Sequence, residues 1–273
     1  MSETPEQDLS GVAGTLLITL YIRAMESGRP DALIKDERAE ALVRRLDQES
    51  LHKTAALTDD FSRVAVILKS REFDRFAQEF LGRHPDAVVV HIGCGLDTRF
   101  ERVAECNSQV EWYDLDLPEV IALRRKLIGN ERERYHMLGC SVLDDAWLEA
   151  VEVHRQRPFL FLAEGVFMYF QGVQVKWLVM TLHDRFPGAE LVFDAFSPFM
   201  RWAHNFKVTR TRVGAYLHWA LKHPQDLERW SDGIRLLDEC FPFQFPEPRM
   251  RRALMALLIP FLAKAFGVFH YQL

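Results

Sequence analysis

Metal-ligand spacing is missing from this chain. Its four cysteines, Cys94, Cys106, Cys140 and Cys240, stand too far apart for a zinc knuckle or a Cys-x-x-Cys redox pair, and read as free thiols of a reducing compartment. Ten histidines are scattered without a His-Glu-x-x-His pattern, so the expectation is a protein with no metal. Long hydrophobic runs are absent too: Leu16 to Ile22 is short, and Ala253 to Ala263 is broken by Pro260 and followed by Lys264, against the roughly twenty residues a membrane span needs. The first ten residues carry acids where a secretory signal would be basic, so a cytoplasmic protein without membrane contact is expected. Positive charge is not in excess. With a formal net charge of -5, nucleic acid is not expected as a partner, and Arg124-Arg125-Lys126 and Arg249-Met250-Arg251-Arg252 read as solvated helix faces. Low-complexity tracts are lacking, and an apolar fraction of 48% fits a globular protein.

One further absence is more informative. Val88-Val89-Val90-His91-Ile92 reads as a doubly buried parallel strand, and it breaks into Gly93-Cys94-Gly95, a turn at which backbone can approach a bound group. A dinucleotide fingerprint wants a third glycine three residues later, beside the pyrophosphate; here that position is Thr98. The loop therefore suits a nucleoside without a diphosphate better than NAD or FAD, and S-adenosylmethionine is such a cofactor. About twenty residues on, Val110 to Asp116 forms a second short strand ending in carboxylates that could grip ribose hydroxyls.

The chain is long enough for one α/β domain. Apolar spacings of three and four up to about residue 81 predict an N-terminal helical segment over 1–85. Alternating apolar runs and helical stretches then predict a cofactor-binding core over 86–196, with strands near 87–92, 110–114, 134–138, 158–164 and 190–195. Pro118 and Gly129 bracket a helix, Asp144 or Asp145 can cap the helix of Trp147, and Gly172 and Pro187-Gly188 bound another. Residues 197–263, rich in aromatic and basic side chains with few strand-like runs, read as a helical substrate cap. The alternating tail over 264–273 reads as a last strand at the sheet edge.

HIGCGLDTRF (91–100), WYDLDLPEVIALRRKLI (112–128), CSVLDDAWL (140–148) and FLAEGVFMYF (161–170) together resemble the leucine carboxyl methyltransferase family, including bacterial relatives that act as polyketide O-methyltransferases. The resemblance implies the class I S-adenosylmethionine-dependent methyltransferase fold: a seven-stranded, mostly parallel, Rossmann-like sheet flanked by helices, with one antiparallel strand near its edge. It further implies S-adenosylmethionine as cofactor. Gly93 and Gly95 would lie beneath its methionine part, Asp116 with its neighbour Asp114 would take the ribose, and Ser141 and Val142 would flank the adenine. Glu164 would face the methionine ammonium, the cation offsetting its burial. Lys69, in the segment where the family usually carries an arginine, would hold the methionine carboxylate, with Arg71 or Lys53 as alternatives. Arg99 would brace the loop against Asp97 or a neighbouring acid.

Methyl transfer from a sulfonium destroys charge, so alignment and exclusion of water matter more than catalytic side chains. Candidates for a base are His204, His218 and His223 in the cap and Tyr169 near the methyl. The expected activity is O-methylation of a carboxyl or phenolic oxygen on a small, polyketide-like molecule. Two alternatives stand beside it: carboxyl methylation of a protein C-terminus, and nucleoside binding without catalysis. Thr98 argues against a nicotinamide oxidoreductase. The sequence says nothing of oligomeric state.

Overall fold

The computed structural model of the protein describes residues 12–46, 59–105, 107–211, 215–244, 247–250 and 263–273. Lys53 and most of the 253–263 apolar segment lie outside them.

The apolar runs form the strands β1 (Val88–Ile92), β2 (Glu111–Asp116), β3 (Tyr135–Gly139), β4 (Phe159–Ala163) and β5 (Glu190–Phe196). Every residue of β1 and β4 is buried, as parallel strands covered by helices on both faces require. Two more strands, β6 (Arg235–Cys240) and β7 (Phe266–Gln272), complete a seven-stranded sheet in the order β3-β2-β1-β4-β5-β7-β6. The pairings among β1 to β5 are parallel, and β7 runs antiparallel to both β5 and β6. This is the sheet the resemblance implies. The tail strand β7, expected at the sheet edge, lies one strand inside it: β6 covers it, and β6 lies where the sequence shows no strand-like run. Of its residues only Cys240 is buried, so no alternation of apolar and polar side chains marks it.

The helices before the sheet are α1 (Val12–Ser27), α2 (Glu37–Val43) and α3 (Asp60–Arg83). Asp59 starts α3 by accepting from the Ser62 amide at 2.8 Å, and the helix lays Phe73, Phe76 and Phe80 on one face of the sheet beside Trp112 and Leu160. Each such phenyl contributes roughly 1.5–3 kcal/mol by leaving water. The remaining helices are α4 (Arg99–Val103), α5 (Pro118–Leu127), α6 (Ala146–Glu152), α7 (Gly172–Arg185) and α8 (Pro198–Thr211). Trp147 of α6 and Leu178 of α7 pack with Phe161 and Phe167 on the opposite face.

Local signals act partly as read. Pro118 opens α5, and Gly129 follows it at φ 121°. Asp145 is the N-cap of α6 without a side-chain bond, whereas Asp144 accepts from the Ser141 amide at 3.2 Å. Gln171 and Gln174 cap α7 reciprocally.

Candidate functional site

Strand register brings the loops of the sequence motifs together. Ile92 stands level with Leu115 of β2 and Ala163 of β4, and Asp116 level with Gly139 of β3. Gly93, Asp116, Ser141 and Glu164 therefore stand at or just past the carboxyl ends of four adjacent parallel strands, where open α/β sheets bind ligands.

The glycines are needed there. Gly93 and Gly95 adopt φ of 65° and 51°, and a side-chain carbon on Gly95 would come within 2.6 Å of Leu16 Cδ2. One on Gly93 would run into the Val166 side chain just after Glu164. The Gly95 amide donates to Asp116 Oδ2 at 2.8 Å, and the Leu117 amide to Oδ1 at 2.8 Å. Each Asp116 oxygen is thus fixed by one backbone donor and keeps lone-pair capacity for a second, the requirement for gripping a vicinal diol. Burial pushes its carboxyl up, against the pull of those two amides. Thr98, at the place of the third glycine, is fully buried and donates from Oγ1 to Asp36 at 2.7 Å. Thr98 thus ties the position of the third glycine to the N-cap of α2.

Asp114 has another place. Its carboxylate is sealed from solvent, pairs with Arg124, and accepts from Tyr135 Oη at 2.6 Å and Trp112 Nε1 at 2.9 Å. Burial raises its carboxyl, but Arg124 and His91 outweigh that and hold it at about 2. It braces β2 against α5 and β3: residues two apart on a strand share a face, but both oxygens of Asp114 are already held, Oδ2 by Arg124 and Tyr135 and Oδ1 by Trp112. Ser141 accepts from the Leu143 amide at 3.1 Å, and the Val142 side chain is buried.

Glu164 already has partners from the protein, contrary to the expectation that a ligand cation offsets it. Arg99 Nη2 donates to Oε2 at 2.5 Å, Ser70 Oγ donates to Oε1 at 2.9 Å, and Lys69 Nζ stands 3.5 Å from Oε1. Burial alone would raise this carboxyl; Arg99 and Lys69 hold it at about 2. Lys69 also lies 3.5 Å from Asp194 Oδ2 on β5. Burial works against its charge, but Asp194 and Glu164 raise it above an ordinary lysine. Asp194 accepts from the Gly165 amide at 2.5 Å, and its carboxyl is pushed up by burial, against Lys69. Of the three cations weighed for this region, Lys69 is at the site, Arg71 pairs with Glu72 at 3.2 Å, and Lys53 lies outside the described residues.

Tyr169 ends a short 3₁₀ turn (Phe167–Tyr169) after β4 and is 44% exposed. Desolvation raises its phenol, Lys69 counters and Asp194 adds, so it belongs to the same cluster. The cap histidines are held by other bonds. His204 Nε2 bonds the Ala215 carbonyl at 3.0 Å, the His218 amide donates to Met168 O at 2.8 Å, and the His223 amide donates to Asp226 at 2.9 Å. Those bonds pin residues 215–219 between the 3₁₀ turn and α8, leaving Phe199, Trp202, Phe206 and Tyr216 exposed.

Three residues of this cluster escaped sequence reasoning. Ser70 had no marker. Asp194 is an acid inside an otherwise apolar strand, a signal that could have found it, and Asp74, which binds Arg99 Nε at 2.7 Å, lies on a helix face that reads as merely charged.

Comparison with known proteins agrees with the geometry. Residues 16–183 match the leucine carboxyl methyltransferase family. The chain is 37% identical to the tetracenomycin polyketide synthesis O-methyltransferase TcmP of Streptomyces glaucescens, over 85% of this chain and 83% of that one. It is 29% identical to the S-adenosyl-L-methionine-dependent methyltransferase dpfgK of Gibberella zeae, over 85% and 83%. In fold it resembles a crystal structure described as a putative methyltransferase from Thermobifida fusca, with a TM-score of 0.60, 15% identity and 93% of each chain covered.

Proposed function

Since this chain belongs to the leucine carboxyl methyltransferase family and is an S-adenosylmethionine-dependent methyltransferase, we propose that it methylates a carboxyl or phenolic oxygen of a small, polyketide-like acceptor in the cytoplasm. The observation that carries this reading is the level edge of β1, β2 and β4, with Asp116 tied to Gly95 on one side and Glu164 on the other. The Streptomyces glaucescens relative, named for an O-methyltransferase of polyketide synthesis, favours oxygen as the acceptor atom.

The cofactor brings an electrophilic methyl on sulfonium; the chain's part is to bind, orient and exclude water. Asp116 accepts both ribose hydroxyls, Ser141 and Val142 flank the adenine, and Gly93 and Gly95 leave room for the methionine backbone. Glu164 takes the ammonium, adding a third cation to an acid already facing Arg99 and Lys69. Lys69 takes the methionine carboxylate as a point charge, from a position that Asp194 fixes.

Neither Lys69 nor Tyr169 offers a ready base. Lys69 is held as a cation, and the Tyr169 phenol is raised, so at neutral pH it donates a hydrogen bond and does not accept a proton. His204 presents Nε2–H to a carbonyl, which leaves Nδ1. An acceptor that ionises unaided, a carboxylate or an acidic phenol, needs none of them. The aromatic face of α8, Phe199, Trp202 and Phe206 at helical spacing, with Tyr216 beside it, supplies stacking surface for a flat molecule in what serves as the substrate cap.

The test is calorimetric titration with S-adenosylmethionine and with NADH, followed by labelled-methyl transfer to aromatic carboxylic acids, polycyclic phenols and a leucine-terminated peptide. Binding of the former alone and labelling of an aromatic acceptor are expected. Labelling confined to the peptide would replace the small-molecule reading with protein carboxyl methylation.

A further inference from the structure

β1 carries one polar side chain, His91, among its valines and isoleucine, and that residue is 1% exposed. A ring buried so deeply needs partners for its nitrogens. Strand register sets it level with Asp114 of β2, and Nδ1 stands 3.6 Å from Asp114 Oδ1, beyond full hydrogen-bond length. On its other side, Nε2 lies 3.1 Å from Arg99 Nη1. A guanidinium has donors and no acceptor, so Nε2 is the bare nitrogen that accepts, and the ring's hydrogen is left on Nδ1, turned toward Asp114. A ring carrying both hydrogens would set one N–H against another across the contact with Arg99.

Arg99 is thereby held at three corners by different elements. Nε donates to Asp74 of α3 at 2.7 Å, Nη2 to Glu164 just after β4 at 2.5 Å, and Nη1 to His91 of β1. A planar group anchored only along its Nε–Nη2 edge can tip about that edge, and the third contact stops it. His91 is the uncharged acceptor of the three. It gives Arg99 a direction without adding another charge to the cluster.

We propose that His91 is a positioning residue for the cofactor: as the neutral Nδ1–H tautomer it fixes the plane of Arg99, and through Arg99 the Glu164 carboxylate that meets the methionine ammonium. The inference rests on the reading of Glu164 as the acid for that ammonium.

Imidazole-nitrogen NMR on the full chain reads the tautomer directly. A bare Nε2 and a hydrogen-bearing Nδ1 are expected at neutral pH. The Nε2 resonance should move when S-adenosylmethionine binds and stay in place with methylthioadenosine, a fragment that keeps the ribose and adenine and lacks the ammonium. His91→Leu removes the acceptor with a side chain of similar size and should weaken S-adenosylmethionine about tenfold with methylthioadenosine unchanged. His91→Gln, whose side-chain oxygen can reach the place of Nε2, should recover most of the loss. A general disturbance of the core would weaken both ligands alike. A hydrogen on Nε2, an Nε2 resonance unmoved by S-adenosylmethionine, or no selective loss in His91→Leu would overturn the proposal. Should His91→Leu fail to fold, the two NMR readings on the wild-type chain decide. If Glu164→Gln binds S-adenosylmethionine as tightly as wild type, the reading of Glu164 fails instead, and the tautomer still stands or falls on its own resonance.

Discussion

Arg99 Nη2 and Glu164 Oε2 lie 2.5 Å apart, with the guanidinium sealed from solvent and the carboxylate nearly so. The same guanidinium binds Asp74 through Nε at 2.7 Å and stands 3.2 Å from Asp97, and Arg102 continues the chain to Asp74, Asp97 and Asp36. Glu164 therefore belongs to a buried ion-pair network that runs from Arg23 of α1 through Asp36, Arg102, Asp74 and Arg99, and on through Lys69 to Asp194. Fixed cations behind it keep this buried acid ionised without a ligand.

Arg99→Met should break that network with little change of volume, leaving Asp74, Asp97 and Glu164 short of a partner. The expected loss is about 3–5 kcal/mol of folding stability, read as a lower urea midpoint at unchanged slope. A loss under about 1 kcal/mol would mean the pair behaves as a surface salt bridge.

The two aspartates of β2 separate cleanly in a pair of variants. Asp116→Ala should weaken S-adenosylmethionine at least tenfold, about 1.4 kcal/mol in a calorimetric titration, with a small change in melting temperature. Asp114→Asn should do the reverse, because Arg124, Tyr135 and Trp112 are then left around a neutral group inside the core while the ligand edge is unaltered. Cofactor affinity lost equally in both variants would contradict this division.

Why the sequence suggested both aspartates and the structure divides them is instructive. Asp114 and Asp116 sit two residues apart on one strand and look alike as letters; what distinguishes them is the partners brought to Asp114, Arg124 from α5 and Tyr135 from β3. The strand ends, the glycine turn and the position of Glu164 were legible because β-branched runs and glycines report backbone geometry locally. Lys69 was legible by its place in a recognised segment. Ser70, Asp74 and Asp194 were not singled out, since their roles come from elements far apart in the chain, and Asp194 and Lys69 are separated by 125 positions. β6 was missed because an edge strand with one buried residue carries no burial rhythm.

Acid should unfold this protein through the same groups. A carboxyl that is more acidic folded than unfolded binds fewer protons in the native state, so its stabilisation is complete above the unfolded value and fades as pH falls toward the folded one. Glu164 and Asp114, both held at about 2 against ordinary values of 4.5 and 3.8, each contribute on the order of 2 to 3 kcal/mol that disappears between about pH 4.5 and 2. Asp194 opposes them, since burial raises it and protonation relieves the strain of its charge. Urea midpoints measured down this range should fall steeply, and Glu164→Gln should flatten part of the slope while starting from a lower stability at neutral pH. A Glu164→Gln slope identical to wild type would remove this carboxylate from the account.

The aromatic stripe of α8 gives the sharpest separation of acceptor from cofactor binding. Trp202 and Phe206 stack with centroids 5.9 Å apart and are 62% and 52% exposed, so truncating either removes little buried area and should shift stability by under about 0.5 kcal/mol. If these rings form one wall for a flat acceptor, each contributes a stacking contact of about 0.5–1.5 kcal/mol beyond area burial. Trp202→Ala should then raise KM for an aromatic acceptor several-fold with the dissociation constant of S-adenosylmethionine unchanged, and Trp202→Phe should recover most of the loss. Unchanged KM in Trp202→Ala, measured with an acceptor that the wild-type protein methylates, would move the acceptor away from α8 and toward the Tyr169 side of the cluster.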